Sequence, residues 1–451
     1  RQSSYGVIVG GSFNKIFDNS NYSFIGNGSG NVVASGAEYS VISCGLKDTV
    51  KGIWSGVFCG DSNVAGNGPE DTAVVIAGGY GNRITEKFSA ICGGDNNLIR
   101  AEHGFVGGGK ENEVYIDADF STIGGGSNNT VKGIWSGVLS GSLNLGGNDA
   151  TDTAVVIVGG YDNKILKRFS VICGGTGNID STAFGFIGGG KENILESGAY
   201  YSVICGGRNN ADMNEFSFIG GGSNNKTAEI YAVIVGGRNN YVWGPFTCIL
   251  GGYDNDAGDQ HYAPNDDSAS VLCGGGGNLV DGDYCFLGGG RGNECTPWGT
   301  VLCGGDSNRA ASKFSAIVGG RRNLIKRNNS DYSFIGTGFA DTIDGKYSAI
   351  PSGYNNVIHG NYSFAFGESC RVSGDRSFAF GKKVNVTFNN QAWFYSQSKP
   401  GIVRITDILI LTPRNSFPPN PVEGMIVVQG TSISNRHIYC YLRGDWRQLD
   451  N

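Results

Sequence analysis

Phe88-Ser89-Ala90-Ile91-Cys92-Gly93-Gly94-Asp95-Asn96-Asn97-Leu98-Ile99 is the stretch that decides this fold, because its order of residue types returns along most of the chain. With the serine as position 0, the motif recurs 24 times between Gly6 and Ser377. Fourteen of the 23 spacings are 15 residues, and the others run from 14 to 23. Position −1 is aromatic in 18 copies (Tyr22, Trp54, Phe169, Tyr332), and +2 is Ile, Leu, Val or Phe in 22, with Ala365 and Ala379 in the last two. Position +8 is Asn in 21 copies, among them Asn14, Asn97, Asn163, Asn225 and Asn323, with Asp48 and Asp341 as near substitutes. Position +10 is again often Ile, Leu or Val, as at Ile16, Val33, Ile84, Ile165, Val280 and Ile325.

A self-similar period of this size is the signature of a solenoid. The columns predict a short strand from −1 to +3, a Gly-Gly corner where glycine accepts positive φ, and a turn at the Asn. Asn tolerates left-handed geometry and can stack its amides into a ladder. A second short strand around +10 closes the coil, with strands of about five residues. The fold class is therefore all-β: a parallel β-solenoid or β-roll of about 24 short coils over residues 1–388, with a small β-rich cap over 389–451. At about 4.8 Å per coil the solenoid is roughly 115 Å long. Strand alternation puts 0 and +2 on one face and −1, +1 and +3 on the other, and both are apolar. A 15-residue coil is too thin to cover its outer face, so a homotrimer is expected. The alternative is a fatter single chain with two repeats per turn.

Composition agrees. The chain has 77 glycines in 451 residues, over twice the usual share of about 7%, yet only 10 prolines and no three-residue glycine register, which excludes collagen. Its 24 Phe, 20 Tyr and 6 Trp exclude disorder. A net charge of −6 without a basic run argues against nucleic acid as a partner, and no run of about 18 apolar residues suggests membrane insertion. The opening Arg1-Gln2-Ser3-Ser4 has neither initiator Met nor signal peptide and reads as a processed or truncated product.

A larger duplication sits above the coils. Thr49-Val50-Lys51-Gly52-Ile53-Trp54-Ser55-Gly56-Val57 returns 81 residues later as Thr130–Val138, and the spacings 15, 19, 15, 15, 17 repeat in order within residues 40–202. The long excursions near Asn67-Gly68-Pro69-Glu70 and Gly147-Asn148-Asp149-Ala150 occupy equivalent places. Fibres and spacers grow this way more readily than enzymes.

Tyr362-Ser363-Phe364-Ala365-Phe366-Gly367 and Val372-Ser373-Gly374-Asp375-Arg376-Ser377-Phe378-Ala379-Phe380-Gly381 resemble the head repeats of trimeric autotransporter adhesins. That resemblance is close over about 30 residues and general over roughly 1–388; it implies a left-handed, trimeric β-roll that binds host-surface ligands. The chain departs from the family in its mostly 15-residue period, its Ile core column, and the lack of a heptad stalk or a membrane-anchoring barrel segment. From about residue 389 the character changes. Ile408-Leu409-Ile410-Leu411-Thr412-Pro413, Pro419-Asn420-Pro421 and Tyr439–Leu449 resemble the carboxy-terminal segments of phage and other viral fibre proteins over about 45 residues.

Chemistry is sparse. Five of twelve Cys fall at +3 (Cys92, Cys173, Cys205, Cys273, Cys303), never in neighbouring coils, and are expected to be small buried hydrophobes in a protein assembled in a reducing interior; interchain disulfides are the sharper alternative. No Cys-x-x-Cys suggests zinc, and the Gly-Gly-Gly runs lack the Lys-Ser/Thr of a phosphate loop, so no metal, cofactor or catalytic residue is assigned. The longest insertion, with Tyr253, Asp256, Asp259, His261, Tyr262, Asp266 and Asp267, is a candidate cation- or sugar-binding loop, and Tyr439, Tyr441 and Trp446 are candidates in the cap. The expected function is a structural, adhesive fibre on a virion surface, trimeric, fixed to other virion proteins at one end and binding a host-surface glycan or protein. A bacterial surface adhesin head is the alternative, and a tailspike-like polysaccharide-degrading enzyme the second.

Overall fold

The computed structural model describes residues 5–258, 269–396, 416–417, 421, 426–429 and 437–449. Among these every regular element is a strand. The chain divides into two units, Arg1–Trp393 and Phe394–Asn451.

The first unit is a parallel β-solenoid in which each 15-residue repeat makes one full coil. Ala90 and Ile91 pair with Phe105 and Val106 one repeat on, Leu98 and Ile99 with Glu113 and Val114, and Asp95 forms a single bridge to Lys110. Three parallel ladders, at +1/+2, +6 and +9/+10, thus run along the unit. An offset of one repeat leaves no room for two repeats per turn.

The strands are only two residues long over most of the unit, not five. The cause lies at −1, where the aromatic residue is left-handed, with φ of 51–63° for every non-glycine residue there. That residue is a corner rather than the start of a strand. The left-handed corner on the other side falls on +7 (Lys47, Asn96, Glu111, Leu143), one residue before the ladder asparagine. Asn97 and its equivalents are chosen for their amides, since none of them has positive φ. Glycine is obligatory at +5: Gly94 has φ +95°, and a methyl group there would collide with the Gly109 carbonyl oxygen and with Asn97 Nδ2.

Position +2 and +10 side chains meet inside the coil, with Ile91 and Ile99 fully buried. Two polar ladders border them. Asn97 Nδ2 donates to Gly93 O and to Gly109 O of the next coil (both 3.0 Å), while its Oδ1 accepts the backbone N–H of Asn112 (3.1 Å). Asn14, Asn163, Asn225 and Asn323 make the same amide donations to backbone carbonyls. The serine column is the second ladder: Ser89 Oγ donates to Ala101 O (2.9 Å) and accepts from Gly104 N (3.0 Å). In the last coils the pattern shifts by one residue. Cys370 takes the asparagine place, its N–H donating to Asn356 Oδ1, Val384 follows it into the core, and Asn385 is left exposed on a strand. There the strands lengthen to five residues, Phe364–Glu368 and Phe378–Lys382, over the small core residues Ala365 and Ala379. A further coil begins where the motif has faded, as Asn390 is left-handed and Gln391 N donates to Ser377 Oγ (3.2 Å).

Two coils carry a carboxyl at +10 in place of an aliphatic group. Asp180 and Asp212 are fully buried, and their Oδ2 atoms find no partner. Gly185, at a serine position, makes the room Asp180 needs. Burial pushes both carboxyls up to about 7, only partly opposed by the Thr182 and Asn214 backbone N–H groups. In the second unit, Ile426–Gln429, His437–Leu442 and Asp445–Gln448 form an antiparallel three-stranded sheet, with a two-residue turn at Arg443-Gly444, both at positive φ.

Two outcomes are expected. Replacing Asn225 by Ala strands the Gly221 carbonyl and the Asn240 N–H, while the Gly237 carbonyl keeps the Ser223 N–H. At about 1–3 kcal/mol per buried unsatisfied group, the loss is about 2 kcal/mol or more, and amide exchange should accelerate in the coils around Asn225. For the aspartates, a folded-state value raised above the unfolded one costs stability as pH climbs from about 4 to above 7. Asp180→Leu and Asp212→Leu should therefore melt like the parent at pH 4 and above it at pH 8. The gain per site is at most about 4 kcal/mol, at about 1.4 kcal/mol per pKa unit.

Candidate functional site

With the inside of the coil filled, function must sit on its outside, and the three ladders differ sharply there. Outward positions of the second ladder mix apolar with charged groups, and ion pairs cross between coils, as in Arg100–Glu113 (3.1 Å) and Arg309–Glu294 (3.0 Å). The third ladder carries Asp95, Lys110, Arg208, Arg238 and Arg321, with Arg321 paired to Asp306 (3.6 Å). The first ladder shows only apolar and small residues. Its +1 column runs Val203, Phe218, Val233, Cys248, Val271, Phe286, and its +3 column Cys205, Gly220, Val235, Leu250, Cys273, Gly288. Val235 and Leu250 are 48% and 46% exposed. Bulk alternates between the columns: where +1 is Phe218 or Phe286, +3 is glycine, and where +1 is Gly56 or Gly137, +3 is Phe58 or Leu139. These coils keep the strip even in height, whereas Phe364 with Phe366 and Phe378 with Phe380 fill both columns at once.

The +3 thiols lie on this strip. Cys92, Cys173, Cys205 and Cys303 are exposed and Cys273 is half-buried, so the expectation that they fill the core is corrected; outward-pointing +3 side chains cannot reach it. The buried thiols are Cys285, Cys295, Cys370 and Cys440. Stacked sulfurs do occur, one column over: Cys44 and Cys59 both stand at +4 of adjacent coils, with Cα atoms 4.8 Å apart, and form a disulfide.

Beside the strip runs the −1 column as a rank of stacked rings. Phe169, Phe184, Tyr201, Phe216, Tyr231 and Phe246 follow one another at 4.7–5.2 Å with planes within 15°. Tyr332, Tyr347 and Tyr362 do the same at 4.9–5.0 Å. The left-handed backbone aims each ring outward along the same vector, and the coil step sets the stacking distance.

The sequence-predicted loop is only partly a loop. Tyr253 is a rung of the third ladder, bridged to Arg238 and Gly276, and Asp256 is a second-ladder strand residue. Asp256 lines a shallow groove of about 440 Å³ with Asn224, Asn239, Tyr241 and Asp254, where Asn239 Nδ2 donates to Asp254 Oδ1 (2.8 Å). Asp259, His261, Tyr262, Asp266 and Asp267 lie outside the described residues. In the second unit Tyr439, Tyr441 and Trp446 are brought together. Tyr441 pairs with Trp446 across the turn at 5.2 Å, and Phe417 stacks on Trp446 (4.7 Å) and meets Tyr439 edge-on (5.0 Å). These rings are half-buried against one another and read as packing of the small sheet. A second open groove, of about 410 Å³, lies between Asp344, Lys346, Tyr347, His359, Asn361 and Tyr362. No group of three or more His, Cys, Asp or Glu is set to hold a metal ion among the described residues.

Sequence reasoning named the −1 aromatics but assigned them to a strand face; their continuous rank follows from the left-handed corner, which residue type alone does not announce. No known protein family matches the chain, and no curated protein matches its sequence.

Proposed function

We propose that the chain is a homotrimeric attachment fibre of a virion, joined to other virion proteins at one end and docking to a glycan or protein of a host surface. The observation that carries this reading is the unbroken apolar strip on the first ladder. At about 115 Å by 8–10 Å it offers on the order of 1,000 Å² per chain, above the roughly 800 Å² that each partner of a standard interface buries. Soluble monomers rarely leave such a strip bare. It is only two residues wide, which suits parallel rods meeting along a common axis, and three copies close the symmetry with each strip turned inward. The charged second and third ladders then face water and keep the fibre soluble. Repetition and the 81-residue duplication lengthen the rod without altering its cross-section, as a spacer requires.

Native mass measurement should give three times 47.4 kDa. Val233→Glu with Val235→Glu places two carboxylates on the strip without touching the core, and should lower the mass to that of a single chain while leaving the β-rich circular dichroism unchanged. A wild-type chain that is monomeric at micromolar concentration overturns the trimer. Adsorption of the labelled wild-type fibre to intact cells tests attachment separately.

A further inference from the structure

The aromatic rank is interrupted, and the interruptions follow a rule. Ala73, Ala154 and Ala269 stand at −1, and each ends one of the longest coils, those with spacings of 19, 19 and 23 residues. Each alanine keeps the left-handed corner, with φ of 56–57°, so the backbone is ready for a ring that is absent. Trp54 and Phe88 flank Ala73, Trp135 and Phe169 flank Ala154, and Phe246 and Tyr284 flank Ala269. Since stacked neighbours in the rank sit about 5 Å apart, each gap spans two steps, about 10 Å between flanking ring positions at the usual strand spacing. That is room for one ring-thick ligand at van der Waals distance from both sides.

On one side of each of the first two gaps the ring is more exposed than inside a stack. Trp54 and Trp135 are 64% and 65% exposed, against 39–50% for Phe184, Tyr201, Phe216 and Tyr231, while Phe88 and Phe169 on the other side stay within that range. The rank does not tolerate a missing ring by default. At Gly299, also in the −1 column, the neighbouring Trp298 swings into the rank and meets Tyr284 and Phe314 edge-on at 5.5 and 5.1 Å. No such filling occurs at the first two alanines, although the 81-residue duplication presents the arrangement twice. Both of these gaps have a polar rim. Lys87 adjoins Phe88 in sequence and Lys167 and Arg168 adjoin Phe169, with the Arg168 guanidinium 5.9 Å over the Phe169 ring; Asp71 and Asp152 are buried and are spent closing the preceding loops, each accepting two backbone N–H groups.

We infer that the gaps at Ala73 and Ala154 are binding slots for single pyranose rings of a surface polysaccharide. A pyranose offers two C–H faces to the flanking rings and equatorial hydroxyl oxygens to the lysine and arginine cations of the rim, a combination that a flat aromatic ligand lacks. The two slots are five coils apart, about 24 Å, so one polysaccharide chain can engage both and gain from their linkage. This rests on the attachment reading and gives it a ligand class.

The test fills the slots. In the double variant Ala73→Phe, Ala154→Phe, left-handed corners that already hold phenylalanine elsewhere receive the missing rings, so the fold and native mass should be kept and the melting temperature should not fall. The probe is an array of pyranose oligosaccharides of the glucose, mannose, galactose, N-acetylglucosamine and sialic acid series, read against the full chain. Wild type should bind at least one series, with a change in tryptophan emission from Trp54 and Trp135, and the variant should lose at least tenfold in affinity. Blank arrays for wild type, equal binding by the variant, or a variant that falls apart into single chains each overturn the slots. Failure of attachment looks different: wild type then binds the array but not intact cells, whereas cell binding that survives in the double variant removes the slots and leaves attachment standing.

Discussion

The buried asparagine is the contact on which the rest depends. Its amide ties the corner of its own coil to the corner of the next, and its carbonyl oxygen takes the backbone N–H of the following asparagine. A coil of 15 residues buries few side chains, two aliphatic groups and little more, and two-residue strands make few ladder bonds. The corners would otherwise leave carbonyls buried and unpaired, each at a cost comparable to a whole hydrogen bond. Satisfying them with one side chain per coil makes so thin a fold possible. The same contact dictates the glycine at +5, since the amide and the next coil's backbone occupy the space where a Cβ would be.

Stacking at a fixed step turns every position into a column, so like meets like along the whole unit. For apolar, aromatic and amide groups that is favourable: isoleucines pack, rings stack near 5 Å, amides chain. For carboxylates it is not, and the exceptions show how the fold copes. Asp48 and Asp341 replace ladder asparagines, and both carboxyls are raised by burial; Asp341 reaches about 6. Neither has an aspartate in the adjacent ladder place, as Asn31, Asn63, Asn323 and Asn356 flank them. Asp180 and Asp212 are likewise separated by Leu195. At the outer positions opposite charges meet between coils in several places, as Glu294 meets Arg309 and Glu113 meets Arg100, and the like-charged neighbours Lys191 and Arg208 stand where water can screen them.

The period, the parallel coils, the glycine corner and the amide ladder were legible in the residues because each is enforced once per coil and so repeats 20 times or more. What was not legible depends on backbone conformation or on a single occurrence. Strand length was misjudged because Tyr, Phe and Trp favour strands in general, whereas here they sit in a left-handed corner that stacking with their neighbours supports. The Cys44–Cys59 disulfide escaped because it lies in the +4 column, where no other pair of adjacent coils has two cysteines. Asp180 and Asp212 were hidden by the habit of reading a column by its majority. The candidate loop was blurred for a related reason: Tyr253 and Asp256 belong to the regular part of their coil, and only the residues after them are insertion.

A solenoid whose interior is this uniform holds information only in its departures from uniformity. Energetically, each coil answers mainly to its two neighbours, so a ring missing from the rank acts locally, and an insertion reaches little further, as Pro69 of the first excursion does in lying over Gly36 two coils earlier. The duplication copied such departures with their surroundings: Trp54, Ala73 and the Asn67–Asp71 excursion reappear as Trp135, Ala154 and the Asn148–Asp152 excursion. If the excursions were passive slack, nothing would couple them to the missing ring. All three of the longest coils end in alanine, and none of the fourteen 15-residue spacings does. Loop and gap therefore behave as one unit, which is what a built surface site on an otherwise monotonous rod requires.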